Sequence, residues 1–323
     1  MSHDSGDLPQ PSARSLGASL APVLTEACGG QLGEITWFKA DWQRGGAATG
    51  TAMLRLPDGG EAPVVVKLPV VQRELLWTRR LQTPDSQGLV VAKLYASGET
   101  LGDYDLAWMV MERFAHGPLG THWHQDHTMR TADAAARFYA ATSTYPVDAQ
   151  PKTEPWTELV RDAQRSLKIN AIAHKQRWSS AIKVLRHRLD RILEQWQARD
   201  VRQWLHGDLH LANAMSRVSL ESGPVSLIDL AEVRPGHWVE DAIYLERQLW
   251  ARPQRLGPTK PVKAIADARK AHGLAVDENY PRLAMIRRAL LAGTTPKFLR
   301  SEGNPRYLEA CLIWLETALE ELK

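Results

Sequence analysis

One stretch, Trp204 to Glu232, limits what this chain of 323 residues can fold into more than any other. It reads Trp204-Leu205-His206-Gly207-Asp208-Leu209-His210-Leu211-Ala212-Asn213 and, further on, Val225-Ser226-Leu227-Ile228-Asp229-Leu230-Ala231-Glu232. Asp208 and Asn213 are five apart, and Asp229 comes sixteen later, after a Ser222-Gly223-Pro224 turn. Taken singly, each has an ordinary explanation: an Asp after Gly is a common turn residue, and an Asn caps the segment that follows. Taken together, they put two carboxylates and one amide in short turns beside apolar, β-rich runs.

Phosphoryl transfer has a use for such a set. Its transition state is stabilised mainly by positioning and by cations on the phosphate oxygens, so one Asp can meet a hydroxyl while other oxygens hold a metal. Magnesium prefers oxygen ligands and keeps waters, so one carboxylate and one amide oxygen suffice from the protein. His206-Gly207-Asp208-Leu209-His210-x-x-Asn213, followed by a hairpin and Leu227-Ile228-Asp229, resembles the catalytic and metal-binding loops of the aminoglycoside phosphotransferase/choline kinase family. The resemblance implies an α+β, protein-kinase-like bilobal fold, with a small β-rich N-lobe and a larger, mainly helical C-lobe. It implies that Asp208 addresses the acceptor hydroxyl, that Asn213 and Asp229 bind Mg2+, and that ATP, or GTP in its place, is the donor. His206 is expected to hold the loop's backbone and the metal-binding segment; His210 is left between substrate contact and solvent.

Bulk properties narrow the field further. Hydrophobic residues make up 44% and charged residues 24%, which is globular composition. A net charge of +3 gives no reason to expect nucleic acid or a membrane surface as partner. Cys28 and Cys311 lack metal-ligand spacing and fit a reduced, cytoplasmic protein better than a disulfide scaffold. No apolar run approaches a membrane span, and the polar first residues do not read as a secretory signal. Oligomeric state is not legible.

In chain order, residues 1–15 read as a loose tail, 16–112 as the N-lobe and 113–323 as the C-lobe. A short helix is expected from Leu16 to Ala27. Strands follow at Ile35–Ala40 and Ala47–Leu56, joined by a turn at Gly45-Gly46. The Pro57-Asp58-Gly59-Gly60 turn then leads to Pro63-Val64-Val65-Val66-Lys67. By resemblance the Gly45-Gly46 turn lies over the phosphates, and Lys67 binds them. Glu74, in a helix expected over Arg73–Leu81, is the partner of Lys67, although the alternative is a solvent-facing Glu and the interval between them is short. Leu89–Tyr95 and Ala107–Met111 read as two more strands. Met111-Glu112-Arg113-Phe114 with the following Gly117 and Leu119 resembles the family's hinge, which places the adenine contact at Glu112 to Phe114.

From Thr128 the pattern is helical, with segments at Met129–Ser143, Glu154–Leu167 and one long helix at Ile172–Ala198. A helix begins near Asp241, expected to brace the catalytic loop, and three more are expected near Pro261–His272, Tyr280–Leu291 and Pro305–Leu322. His122, His124 and His127 are read as a surface loop or helix start rather than a metal site. Two departures separate the chain from protein kinases: Gly207 stands where they carry Arg, and Leu230-Ala231 follows Asp229 with no long activation segment. The acceptor is expected to be a small molecule bearing a hydroxyl, of aminoglycoside, amino alcohol, sugar or amino acid type. Glu232, Glu240, Asp277 and Glu278 are candidates for holding it by position only. A catalytically silent nucleotide-binding module and a protein kinase stay open as alternatives.

Overall fold

The computed structural model describes residues 13–38, 47–83, 90–256 and 259–323, so the expected Gly45-Gly46 turn lies outside the described residues. The chain divides into two compact units, one through Ala115 and one from His116.

The first unit is a five-stranded antiparallel sheet with two helices. Its elements are α1 (Ala13–Ala27), β1 (Thr36–Phe38), β2 (Ala48–Arg55), β3 (Glu61–Leu68), α2 (Gln72–Arg80), β4 (Leu94–Gly98) and β5 (Trp108–Glu112). The strand order is β1-β2-β3-β5-β4. Alternation along β3 decides what each face does. Ala62, Val64, Val66 and Leu68 are buried, and the last three pack with Leu20 and Leu24 of α1 and with Trp37. Lys67 therefore points to the other face, where its register partner Met109 packs with Leu75 of α2. The strand expected at Leu89–Tyr95 begins instead at Leu94, and the pairing with β5 slips between Leu94 and Ala96. The Gln82 side chain supplies the reason. It accepts the Leu94 amide and donates to the Ala92 carbonyl, giving that backbone partners outside a ladder.

The second unit is mainly helical. It contains α3 (His127–Thr142), α4 (Trp156–Ile169), α5 (Lys175–His187), α6 (Leu189–Gln197) and α7 (Val239–Arg247). Helices α8 to α12 follow at Pro253–Leu256, Pro261–Ala271, Tyr280–Thr294, Leu299–Glu302 and Pro305–Glu321. Two small antiparallel pairs sit between α6 and α7: β6 (Gln203–Leu205) with β9 (Arg234–Gly236), and β7 (Ala214–Ser216) with β8 (Val225–Leu227). The single long helix expected from Ile172 to Ala198 is two helices broken at Arg188. No Gly or Pro marks the break. Arg188 leaves helical geometry (φ −102°, ψ 2°) and its guanidinium donates to the Leu319 carbonyl in α12 at 2.8 Å. A tertiary contact overrides a continuous helical pattern here.

Candidate active site

One carboxylate holds the loop that follows β6. Asp241, in the first turn of α7 and 1% exposed, accepts the His206 amide and the Tyr139 hydroxyl on Oδ2 and the Gly207 amide on Oδ1, each at 2.9 Å. Burial pushes its pKa up, against the pull of His206, Arg234 and these donors. Gly207 has a φ of +82°, and a Cβ there would overlap the Glu232 carbonyl oxygen, so glycine is required. His206 is fully buried. Its Nδ1 accepts the Asp208 amide at 3.3 Å, which leaves Nε2–H to donate to the Ile228 carbonyl at 3.0 Å. Burial holds its pKa below the ordinary value, so the ring is neutral and ties the Asp208 turn to the segment carrying Asp229.

Asp208 and Asn213 come together through this framework, and the segment bearing Asp229 joins Asn213 through its backbone. Asn213 Nδ2 donates to the Asp208 carbonyl at 3.0 Å and to Asp208 Oδ2 at 3.1 Å. Both partners are acceptors, so the amide nitrogen must face them and Oδ1 faces away, an oxygen of the kind that a hard cation accepts. The β7–β8 pairing then carries the site across: the Ile228 amide donates to the Asn213 carbonyl at 3.0 Å, setting Asp229 beside it. Asp229 is one of two described non-glycine residues in the left-handed region, with φ 63° and ψ 70°. Such backbone strain is held by its surroundings and gathers at functional sites.

Two side chains lie against Asp208: His210, whose role the sequence leaves open, and Tyr244, which the sequence does not single out. His210 Nδ1 accepts the Ala212 amide at 3.1 Å, and its Nε2 lies 3.4 Å from Asp208 Oδ2. Tyr244 stands beside the His210 ring, with 6.2 Å between the ring centroids, and its hydroxyl helps to hold the same carboxyl in its charged form. Burial by itself raises the Asp208 pKa, but the bonds from His210 and Tyr244 and the nearby His206 outweigh it and hold the carboxyl well below the usual range.

In the first unit, Lys67 Nζ lies 2.7 Å from both carboxylate oxygens of Glu74. The seven-residue interval is enough because β3 ends at Leu68 and α2 begins at Gln72, on the face to which Lys67 points. At the end of β5, the Glu112 amide donates to the Lys93 carbonyl and the Arg113 amide to the Pro63 carbonyl. Glu112 Oε2 accepts the Lys93 amide. Neither of those two amides is left to meet a base.

A profile of the phosphotransferase enzyme family matches residues 38–286. The chain belongs to that family. It is an enzyme of the small-molecule kinase class, acting on a hydroxyl acceptor. No curated protein sequence matches it. Solved structures with the same fold include a microcompartment-associated aminopropanol kinase, 13% identical over 93% of this chain and 95% of that one, with a TM-score of 0.57. A thermostable mutant of aminoglycoside phosphotransferase APH(4)-Ia, in ternary complex with AMP-PNP and hygromycin B, is 12% identical over 94% and 98%, with a TM-score of 0.54. A choline/ethanolamine kinase family protein from Mesorhizobium loti is 12% identical over 92% and 95%, with a TM-score of 0.53. The fold is protein-kinase-like, as the α+β pattern and the loop motif imply.

Within this phosphotransferase the remaining candidates fall elsewhere. Glu240 is 3% exposed, with Oε1 at 3.1 Å from Arg199 and Oε2 at 3.4 Å from Arg234, so it is a structural anion and not an acceptor contact. Asp277 accepts from His237 Nε2 at 2.8 Å, and Glu232 and Glu278 are exposed. His127, at the start of α3, is buried with Nε2 on the Leu220 carbonyl, which corrects its reading as a surface residue, while half-buried His124 and exposed Asp126 precede the helix. Among the described residues no group of three or more His, Cys, Asp or Glu is arranged to hold a metal by itself. No helix among them is long and apolar enough to cross a membrane.

Proposed function

We propose that the chain transfers the γ-phosphate of ATP, with Mg2+, to a hydroxyl of a small molecule. One observation carries this reading: Asn213 bonds Asp208 through its amide nitrogen, turns its amide oxygen away from it, and bonds the segment bearing Asp229 through its backbone. Asn213 Oδ1 and Asp229 would hold the metal, which when bound neutralises phosphate charge. Lys67, fixed by Glu74, offers a cation for the α/β-phosphates, and the adenine contact falls within Glu112 to Phe114.

Asp208 presents a carboxylate to the acceptor hydroxyl. Its depressed pKa makes it a weak base, which suits orienting the hydroxyl and taking its proton late. A loose transition state asks for no more, because the nucleophile needs little charge before the leaving group departs. His210 and Tyr244 hold the carboxylate in place, and Asp241 holds the turn that bears it.

ADP release by the purified chain, followed across an acceptor panel with and without Mg2+, tests the reading, with Asp208→Ala as the blank. Turnover that needs both nucleotide and metal and falls at least about 10³-fold in Asp208→Ala is expected, with nucleotide affinity nearly unchanged. Unchanged turnover in Asp208→Ala would remove the role assigned to that carboxylate. Nucleotide binding with no acceptor turned over would make the chain a silent binding module.

A further inference from the structure

The helix that braces the catalytic loop also leads away from it to a cavity. Asp241 and Tyr244 on α7 and Gln248, the residue that caps its C-terminus, are spaced three and four apart, so they share one face. Asp241 lies under the loop, Tyr244 stands beside His210, whose Nε2 is 3.4 Å from Asp208 Oδ2, and Tyr244, Arg247 and Gln248 form one wall of a cavity of about 340 Å³. The opposite wall comes from Ser301 and Glu302 of α11 and from Asn304 and Tyr307 at the start of α12. Both walls belong to the second unit, and Tyr244 joins the cavity to the carboxylate that meets the acceptor.

The cavity's charge is balanced and already committed. Its one carboxylate, Glu302, accepts from Arg247 Nη2 at 2.6 Å, and Arg247 Nε donates to the Tyr307 hydroxyl at 3.2 Å. An ammonium group entering here would meet a guanidinium and find no unpaired carboxylate to replace its water. Desolvation without a partner is costly, and like charges add to the cost. What the lining offers instead is mixed hydrogen bonding. Asn304 Oδ1 is taken by the Arg306 and Tyr307 amides, so its NH2 is the group on offer. Ser301 Oγ donates to the Phe298 carbonyl and keeps its lone pairs, and exposed Gln248 carries both a donor and an acceptor. A hydroxyl both donates and accepts, which matches this set one group at a time.

Resting on the phosphotransferase reading, we infer that this cavity takes a neutral, polyhydroxylated acceptor of the sugar or polyol class rather than a polycation or an amino acid. Initial rates of ADP release by the full chain, with glucose, myo-inositol, kanamycin, ethanolamine and homoserine as acceptors, test it. A neutral acceptor is expected to exceed each charged one in kcat/KM by at least about tenfold. Gln248→Ala should raise the KM of that acceptor about fivefold and leave the KM of ATP unchanged, because one neutral hydrogen bond is lost. Gln248→Glu should narrow the gap to kanamycin. Kanamycin, ethanolamine or homoserine as the best acceptor would overturn the inference and leave the kinase reading standing. ATP binding with no release of ADP for any of the five would overturn both.

Discussion

His210 Nε2 lies 3.4 Å from Asp208 Oδ2, while the Nδ1 of the same ring is tied to the Ala212 amide at 3.1 Å. The second bond fixes the tautomer, so the hydrogen of His210 is carried on Nε2, the nitrogen that faces Asp208. From α7, Tyr244 stands beside the same ring and its hydroxyl also favours the charged form of the carboxylate. His210→Ala and Tyr244→Phe should each lower kcat by about tenfold, or about 1.4 kcal/mol, with KM for ATP nearly constant. The pH profile separates positioning from a structural role. Burial raises the Asp208 pKa and the two donors lower it, so losing either donor should move the acid limb of the rate profile to higher pH. Parallel profiles, differing only in height, would show that the donors do not tune Asp208.

The Lys67–Glu74 pair in the first unit gives a prediction in which stability and activity part. Glu74 is 3% exposed and the lysine nitrogen reaches both of its oxygens at 2.7 Å. Removing one partner leaves the other charge buried and uncompensated, so Glu74→Leu should cost about 3–5 kcal/mol in urea unfolding. The double variant Lys67→Met/Glu74→Leu should recover most of that loss, since a buried ion pair is often no better than apolar groups of similar volume. Activity should not recover with it, because the cation proposed for the phosphates is gone. Restored turnover in the double variant would remove Lys67 from the chemistry.

These two clusters differ in how far the sequence displays them. Asp208, Asn213 and Asp229 are visible because a turn residue, an amide and a carboxylate recur at fixed distances beside β-rich runs, and Lys67 because a β-branched strand delivers it. Tyr244 is not visible. It is one of several apolar or amphipathic residues in α7, and only its placement one helical turn after Asp241 brings it to Asp208. The end of the long helix at Arg188 and the late start of β4 are hidden for the same reason. Each depends on a partner far away in sequence or on a side chain competing for backbone groups, Leu319 for Arg188 and Gln82 for Leu94. Glu240 misleads in the opposite sense, because an acidic residue near a catalytic loop looks available until Arg199 and Arg234 are seen beside it.

Gly207 gives a local test of the loop. Its φ of +82° and the approach of the Glu232 carbonyl leave no room for a Cβ. Alanine must either tilt the His206-Gly207-Asp208 turn or push the Glu232 backbone aside, and both moves disturb the amides that Asp241 accepts. Gly207→Ala should cost about 2–4 kcal/mol in stability and reduce kcat at least as strongly as losing one Asp208 donor. An alanine variant with wild-type urea midpoint and kcat would show that the turn has slack that the positive φ does not suggest.

Two buried imidazoles set the acid side of the stability curve. His206 and His237 are fully buried, and burial lowers the pKa of each below the ordinary 6.5, more than Asp241 and Asp208 near the first and Asp277 beside the second can offset. Their folded values lie below their unfolded ones, so both are neutral in either state above pH 6.5 and contribute no slope there. As pH falls through the unfolded value the unfolded chain takes up protons first, and stability is lost until the folded values are passed. Asp241 opposes this, since a carboxyl whose pKa is raised in the fold favours the folded state on acidification. A single-histidine difference isolates the term. His237→Gln keeps a donor toward Asp277 and removes the titration, so its urea midpoint should fall less steeply than that of the unaltered chain between pH 7 and pH 5.5. The slopes should differ by up to about 1 kcal/mol per pH unit. Equal slopes would mean that His237 takes up its proton as readily in the folded chain as in the unfolded one, and that burial costs it nothing.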